Sequence, residues 1–228
     1  MILSGMVKNS LVDYPGLIAC VLFVPVCNYN CFYCHNRSLI DGTHTILDAE
    51  QVDAFLKKRV GKLDAVVISG GEPTLQKDLI PYLKTIKALG YKIKLDTNGS
   101  CPDIVFDILQ QALCDYIAVD YKAPCARYQE ICGNNADAEK VLKTINILIE
   151  NKAEFEVRTT IIPQLNKIDL ITMAKELPVV PRYVLNKYRI PEKYLSFDKE
   201  RIEAKPHTQN EITALAEDIK LYQPNVLT

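Results

Sequence analysis

Leu17-Ile18-Ala19-Cys20-Val21-Leu22-Phe23-Val24 is an unbroken apolar run of strand length that stops at Pro25 and leads into Cys27-Asn28-Tyr29-Asn30-Cys31-Phe32-Tyr33-Cys34. Apolar at successive rather than alternate positions, it predicts a parallel strand buried on both faces. Five further runs, at 65–69, 91–96, 116–120, 155–162 and 183–190, are likewise rich in Val, Ile and Tyr. Helical spacing fills the intervals. Asp48 caps a helix bearing Val52, Phe55, Leu56 and Val60, with Gln51 three residues on. A second helix runs over 76–89 and stops at Gly90, and a third begins at Pro102 with Ile104, Val105, Ile108 and Leu109 on one face. Ala138, Val141, Leu142, Ile145, Leu148 and Ile149 mark a fourth; others cover 168–177, before Pro178, and 209–222. Strands joined by helical crossovers imply right-handed βαβ units. The predicted fold is therefore α/β, a partial (β/α)6 barrel with parallel strands and outer helices, an open doubly wound sheet being the other arrangement. One domain over 1–228 is expected, with its core at 16–190 and a C-terminal helical extension at 191–228. In either architecture ligands collect where strands end, so those positions carry the functional reading.

Bulk composition narrows the function classes. With 27 basic against 28 acidic residues, a net charge of −1 provides no global field for nucleic acid or an anionic membrane. The run at 17–26 is too short to span a bilayer, and no small-residue cleavage site follows Lys8. A cytoplasmic protein with no membrane and no nucleic-acid partner is expected. In that compartment thiols stay reduced, so the eight cysteines point to metal or redox chemistry before disulfides.

Cys27, Cys31 and Cys34 stand in CxxxCxxC spacing where the first strand ends. Three thiolates within eight residues can wrap one cubane and ligate three of its four irons, leaving the fourth open to a ligand. A structural zinc site built from the same cysteines and His35 is the alternative, although zinc sites usually pair two short CxxC turns and no second pair exists here. Cys20, Cys101, Cys114, Cys125 and Cys132 have no cluster spacing and read as small buried or half-buried thiols.

The other strand ends are polar. Gly70-Gly71-Glu72-Pro73 closes the second strand, its glycines permitting close backbone approach to a ligand. Asp96-Thr97-Asn98-Gly99 ends the third and Asp120-Tyr121-Lys122 the fourth; such side chains can orient a ribose or carboxylate, and Asp120 can pair with Lys122. Asn98-Gly99 also reads as a plain turn pair. Arg158 and Thr160 share one face of the fifth strand, and an arginine there needs an anionic partner such as Asp120 or a cofactor carboxylate. Lys187, Tyr188 and Arg189 end the last strand, where a surface or docking role competes with a catalytic one.

With these residues the chain resembles the radical S-adenosylmethionine (SAM) superfamily, whose CxxxCx-aromatic-C signature has Tyr33 at the aromatic position. The resemblance implies one 4Fe-4S cluster with three cysteine ligands, its fourth iron binding the amino and carboxylate groups of SAM. It implies that Tyr33 and Ile162 lie near the adenine and that Gly70, Gly71, Glu72 and Pro73 match the family's GGEP cradle. Asp96 and Asn98 fall in its DTNG element, Asp120 and Lys122 in an Asp-x-Lys element near the cofactor, and Arg158 is expected beside them.

Lys8-Asn9-Ser10-Leu11-Val12-Asp13-Tyr14-Pro15-Gly16, Cys34-His35-Asn36 and Glu156-Val157-Arg158-Thr159-Thr160 look like the activating proteins of anaerobic ribonucleoside-triphosphate reductase and pyruvate formate-lyase. That likeness implies reductive cleavage of SAM to methionine and a 5′-deoxyadenosyl radical, with flavodoxin or ferredoxin as electron donor and a glycyl radical enzyme as protein substrate. The ferredoxin-like insert that many such activases carry after the first motif is absent, since no cysteine lies between Cys34 and the second strand. Radical chemistry on a small molecule or another peptide is the alternative reading.

Overall fold

The computed structural model describes residues 1–228. Its strands are β1 (Gly5–Ser10), β2 (Ala19–Val24), β3 (Ala65–Gly70), β4 (Lys92–Thr97), β5 (Tyr116–Asp120), β6 (Phe155–Ile161), β7 (Tyr183–Lys187) and β8 (Val226–Leu227). They form one sheet in strict chain order, β2 to β8 parallel and β1 antiparallel to β2. β1 and β8 are its two edges, so the barrel is partial and open. The six strands read from the sequence are β2 to β7 within two or three residues.

The helices are α1 (Arg37–Ile40), α2 (Ala49–Arg59), α3 (Leu79–Ala88), α4 (Pro102–Gln110), α5 (Tyr128–Cys132), α6 (Ala138–Glu150), α7 (Lys167–Glu176), α8 (Lys199–Ile202) and α9 (Gln209–Ile219). Asp48 caps α2 as expected, accepting from the backbone of Glu50 and Gln51. The helix expected from residue 76 starts later, because Pro73–Leu75 forms a separate 3-10 turn beneath the strand end. The segment after 190 is not wholly helical: Val226 pairs with Tyr183 and Leu227 with Val184, adding β8 to the sheet. A two-residue strand leaves no periodicity to detect. β1 is equally hard to read, a mostly exposed edge strand whose sequence, Gly-Met-Val-Lys-Asn-Ser, has no apolar run.

Period-two alternation gives the sheet two unlike faces. Cys20, Leu22, Val24, Val66, Ile68, Ile93, Leu95, Ile117, Val119 and Val157 join a core of 52 buried residues that includes the buried stripes of the helices. On the opposite face, Ala19, Val21, Ala65 and Val67 make a small apolar cluster with Tyr14. From β4 onward that face turns polar, carrying Lys94, Asp96, Asp120, Glu156 and Arg158. Parallel register sets Asp120 of β5 directly beside Arg158 of β6.

Candidate cofactor site

The loop after β2 is held from several sides. Val26 has φ +70, a left-handed conformation that a β-branched residue rarely adopts. Its N–H donates to Leu39 O at 3.1 Å, and its carbonyl accepts from Glu72 N at 2.8 Å. Asn30 N donates to Cys132 O at 2.8 Å, and Arg37, buried on α1, donates to Asn30 Oδ1 at 2.6 Å and pairs with Asp41 at 2.9 Å. Asn36 Nδ2 donates to Gly70 O at 3.1 Å, joining the cysteine loop to the next strand end.

Cys27, Cys31, Cys34 and Tyr33 from this loop line a cavity of about 220 Å3 at the strand ends. Ser69, Gly70 and Gly71 after β3, Asp96, Thr97 and Asn98 after β4, Asp120 and Lys122 after β5, and Arg158 and Thr160 of β6 complete its wall, with His35 and Asn36 at the loop's end. Three residues expected near the cofactor are not on that wall. Pro73, Ile162 and Glu72 are buried behind it, the last two with no exposure at all. Tyr33 is buried, with Tyr188 edge-on to its ring at a centroid distance of 6.4 Å. Tyr188 is correspondingly not a surface residue: its strand has ended at Lys187 and its hydroxyl donates to Ile202 O at 2.9 Å.

The glycines, both on the cavity wall, also meet a constraint from the protein itself. A Cβ on Gly71 would lie 2.0 Å from Val26 O, and one on Gly70, where φ is +117, would lie 2.5 Å from the backbone of Val24. What approaches these glycines is the neighbouring backbone, since Gly71 N donates to Val24 O at 2.8 Å. Glu72 then latches the next strand end. Its Oε1 accepts from Thr74 N at 3.0 Å, from the Thr74 hydroxyl and from Thr97 Oγ1 at 2.7 Å, while Oε2 accepts from Asn98 N at 2.6 Å. Burial pushes its carboxyl pKa up, and the bonds from Thr74, Asn98 and Thr97 pull against that shift.

A ladder of alternating charge follows the inner face. Arg182 Nε lies 2.9 Å from Glu156, whose other oxygen is 3.9 Å from Lys94 Nζ; Lys94 reaches Asp96 at 3.0 Å. Arg158 bridges Asp96 at 3.4 Å and Asp120 at 3.0 Å, and Lys122 meets Asp120 at 2.9 Å. Asp96 Oδ1 is buried and held by ion pairing alone, since neither cation meets it in hydrogen-bond geometry. Lys94 Nζ also donates to Asp13 O at 2.6 Å, which fixes the segment after β1 across the lower end of the ladder. The anionic partner demanded by Arg158 is thus Asp120, with Asp96 as a second one.

Burial alone would raise the Asp120 pKa, but Arg158 and Lys122 outweigh it and hold the carboxyl well below the usual carboxylate range. A folded pKa below the unfolded one contributes stability above the unfolded value, and the contribution is lost as pH falls toward the folded value. The stability gap between wild type and Asp120→Asn should therefore be widest near neutrality and close below about pH 4, the unperturbed aspartate value. Urea unfolding at a series of pH values checks this, and a gap independent of pH would contradict it.

Cys132 is the functional neighbour that spacing did not reveal. It is fully buried at the end of α5, and its carbonyl accepts the Asn30 N–H at 2.8 Å, which sets the residue against the cysteine loop. The neighbouring Cys132 thiol is the main influence lowering the Cys31 pKa, whereas burial pushes Cys27 up to about 12 and Cys34 upward. The Asn30–Cys132 hydrogen bond and the packing of Gly133 against Asn30 bring this distant segment to the loop, and no local sequence signal marks it.

The donor set suits a cluster better than an ion. Three soft thiols share one cavity, yet no three His, Cys, Asp or Glu side chains converge closely enough to hold a single metal ion. A cubane, itself several ångströms across, takes ligands spread in this way. A parallel partial barrel with a thiol-lined, charge-rimmed cavity at its strand ends defines a class of cofactor-dependent α/β enzymes. Residues 21–177 match the Radical SAM superfamily, and the chain belongs to that superfamily, whose enzymes use a 4Fe-4S cluster and SAM.

A protein of Methanocaldococcus jannaschii, named provisionally as a glycyl-radical enzyme activating enzyme, is 32% identical over 232 residues, 99% of this chain and 95% of its own. Among solved structures, TYW1 with a lysine-pyruvate adduct bound aligns with a TM-score of 0.60 at 18% identity, over 90% of this chain and 74% of its own. A domain of pyruvate-formate lyase-activating enzyme from Bacteroides vulgatus aligns with a TM-score of 0.54 at 20% identity, over 70% of this chain and 94% of its own. These two share the fold. No helix is long and apolar enough to cross a membrane.

Proposed function

We propose that this radical SAM enzyme is an activase that generates a glycyl radical on a partner enzyme, anaerobic ribonucleotide reductase or a relative. The observation that carries the radical chemistry is the gathering of Cys27, Cys31 and Cys34 with Asp96, Asp120, Lys122 and Arg158 around one cavity. The activase reading is supported by likeness along 99% of the chain to a relative named for that role.

Cys27, Cys31 and Cys34 hold three irons of a 4Fe-4S cluster. When bound and reduced by flavodoxin or ferredoxin, the cluster supplies the electron that splits SAM into methionine and the 5′-deoxyadenosyl radical. Lys122 and Arg158 offer cations to the methionyl carboxylate. Asp96 and Asp120 offer acceptors to the ammonium and ribose groups, and the cations of Arg158 and Lys122 keep the Asp120 carboxylate ionised. Tyr33 gives the adenine an apolar ring backed by Tyr188. Ile162, Pro73 and Glu72, behind the wall, support these groups rather than touch the cofactor.

Anaerobic reconstitution with iron and sulfide, followed by reduction with SAM, should yield methionine and 5′-deoxyadenosine. Adding a glycyl radical enzyme should then produce a glycyl doublet in electron paramagnetic resonance. Cleavage without a doublet from any such partner would move the substrate to a small molecule or another peptide. A colourless, zinc-loaded protein would end the radical reading.

A further inference from the structure

We propose that Asn98 is a preset hydrogen-bond donor to the sulfur of Cys27 and thereby raises the reduction potential of the cluster; the inference rests on cluster ligation by Cys27. Asn98 is nearly fully buried just beyond β4, its main chain pinned by the N–H bond to Glu72 Oε2 at 2.6 Å. Its side-chain oxygen is identified by what it accepts, the Ser100 N–H at 2.9 Å. The amide nitrogen must then face the other way, where Nδ2 lies 2.9 Å from Asn28 Oδ1 and 3.7 Å from Cys27 Sγ. Asn28 is oriented in turn, because it must present its oxygen to Asn98 Nδ2, which leaves its own Nδ2 to donate to Ser100 Oγ at 2.9 Å. A closed ring of Asn98, Asn28 and Ser100 therefore fixes both amides without reference to the sulfur. One Asn98 N–H is taken by Asn28, and the other is left aimed at Cys27.

A plain turn role does not account for this geometry. Gly99 takes the left-handed conformation, with φ +74, and Asn98 does not. Cys27 Sγ also accepts from Tyr29 N at 3.4 Å, so two donors from separate strand ends meet on one sulfur. Hydrogen bonds to ligand sulfurs disperse negative charge and are among the determinants of cluster potential. Because the reduced cluster carries one more electron, such donors favour it, and their loss lowers the potential. Asn98 acts through Cys27 and is a positioning residue.

The test compares reconstituted wild type with Asn98→Asp, close in shape but presenting oxygen to the sulfur, and Asn98→Ala, which removes the group. At a fixed solution potential the reduced fraction, read by electron paramagnetic resonance, should fall about tenfold relative to the oxidised form, or 59 mV for one electron. Iron and sulfide content per chain should stay at the wild-type value in at least one variant. The iron–cysteine stretches in resonance Raman should shift on deuterium exchange in wild type and lose part of that shift in the variants. Unchanged potential and deuterium shift in a variant that binds the cluster would overturn the inference. Failure of wild type itself to take up a cluster would instead overturn ligation by the cysteines, and this inference with it. Loss of the cluster in both variants, with wild type loaded and all three folded, would make Asn98 an assembly residue and likewise overturn it.

Discussion

Replacing Cys31 with alanine is expected to cut cluster uptake sharply and to abolish SAM cleavage. Cys31 is the most enclosed of the three thiols, and its carbonyl accepts the Cys34 N–H at 3.2 Å, so it anchors the turn between the other two ligands. A cubane held by only two protein thiolates has lost a third of the ligation that the loop supplies, and no other thiol lines the cavity. The buried Cys132 thiol beside Cys31 is the remaining candidate, and the paired variant Cys31→Ala/Cys132→Ala closes that route. Iron and sulfide per chain should drop in the single variant and vanish in the pair, with 5′-deoxyadenosine below detection. Full iron content and turnover in the paired variant would sink the assignment of this ligand.

Replacing Glu72 with alanine should produce a large loss of stability although the residue does not line the cavity. The side chain has no exposed surface, and its removal leaves the Thr74 and Asn98 N–H groups buried without acceptors, at about 1–3 kcal/mol each. The Thr74 and Thr97 hydroxyls can rotate to other acceptors and add less. A total of about 2–6 kcal/mol is expected, a large share of the about 5–15 kcal/mol that holds a typical domain together. Glu72→Gln keeps one acceptor oxygen and should lose roughly half as much. Urea midpoints rank the three proteins. Because Glu72 latches the end of β3 to the end of β4, Glu72→Ala should also loosen the wall that carries Asn98 and reduce cluster uptake. Equal stability of Glu72→Ala and wild type would mean the four hydrogen bonds contribute nothing net.

Buried parallel strands announce themselves through continuous apolar runs, which is why β2 to β7 were legible and the exposed edge β1 and two-residue β8 were not. The cysteine spacing and polar strand ends were legible for a related reason. In a sheet built from crossovers, every strand delivers its C-terminal end to the same rim, so a residue's place in its own strand predicts its place in the site. Eleven of the fourteen expected site residues line one cavity for that reason. Glu72, Pro73 and Ile162 do not, because one step along the chain separates a residue that faces the rim from one that faces the layer behind it.

The sequence by itself determined the parallel α/β plan and the grouping of three thiols at a strand end. Both follow from local pattern: the burial of consecutive residues and the short reach of an eight-residue loop. Only the tertiary structure decided that Gly70 and Gly71 admit a neighbouring backbone, that Arg158 bridges two carboxylates, that the Cys132 carbonyl takes the Asn30 N–H, and that Asn98 Nδ2 reaches Cys27 Sγ. Those contacts join segments up to about a hundred residues apart, and their energetics depend on burial and donor direction, which exist only once the strands are in register.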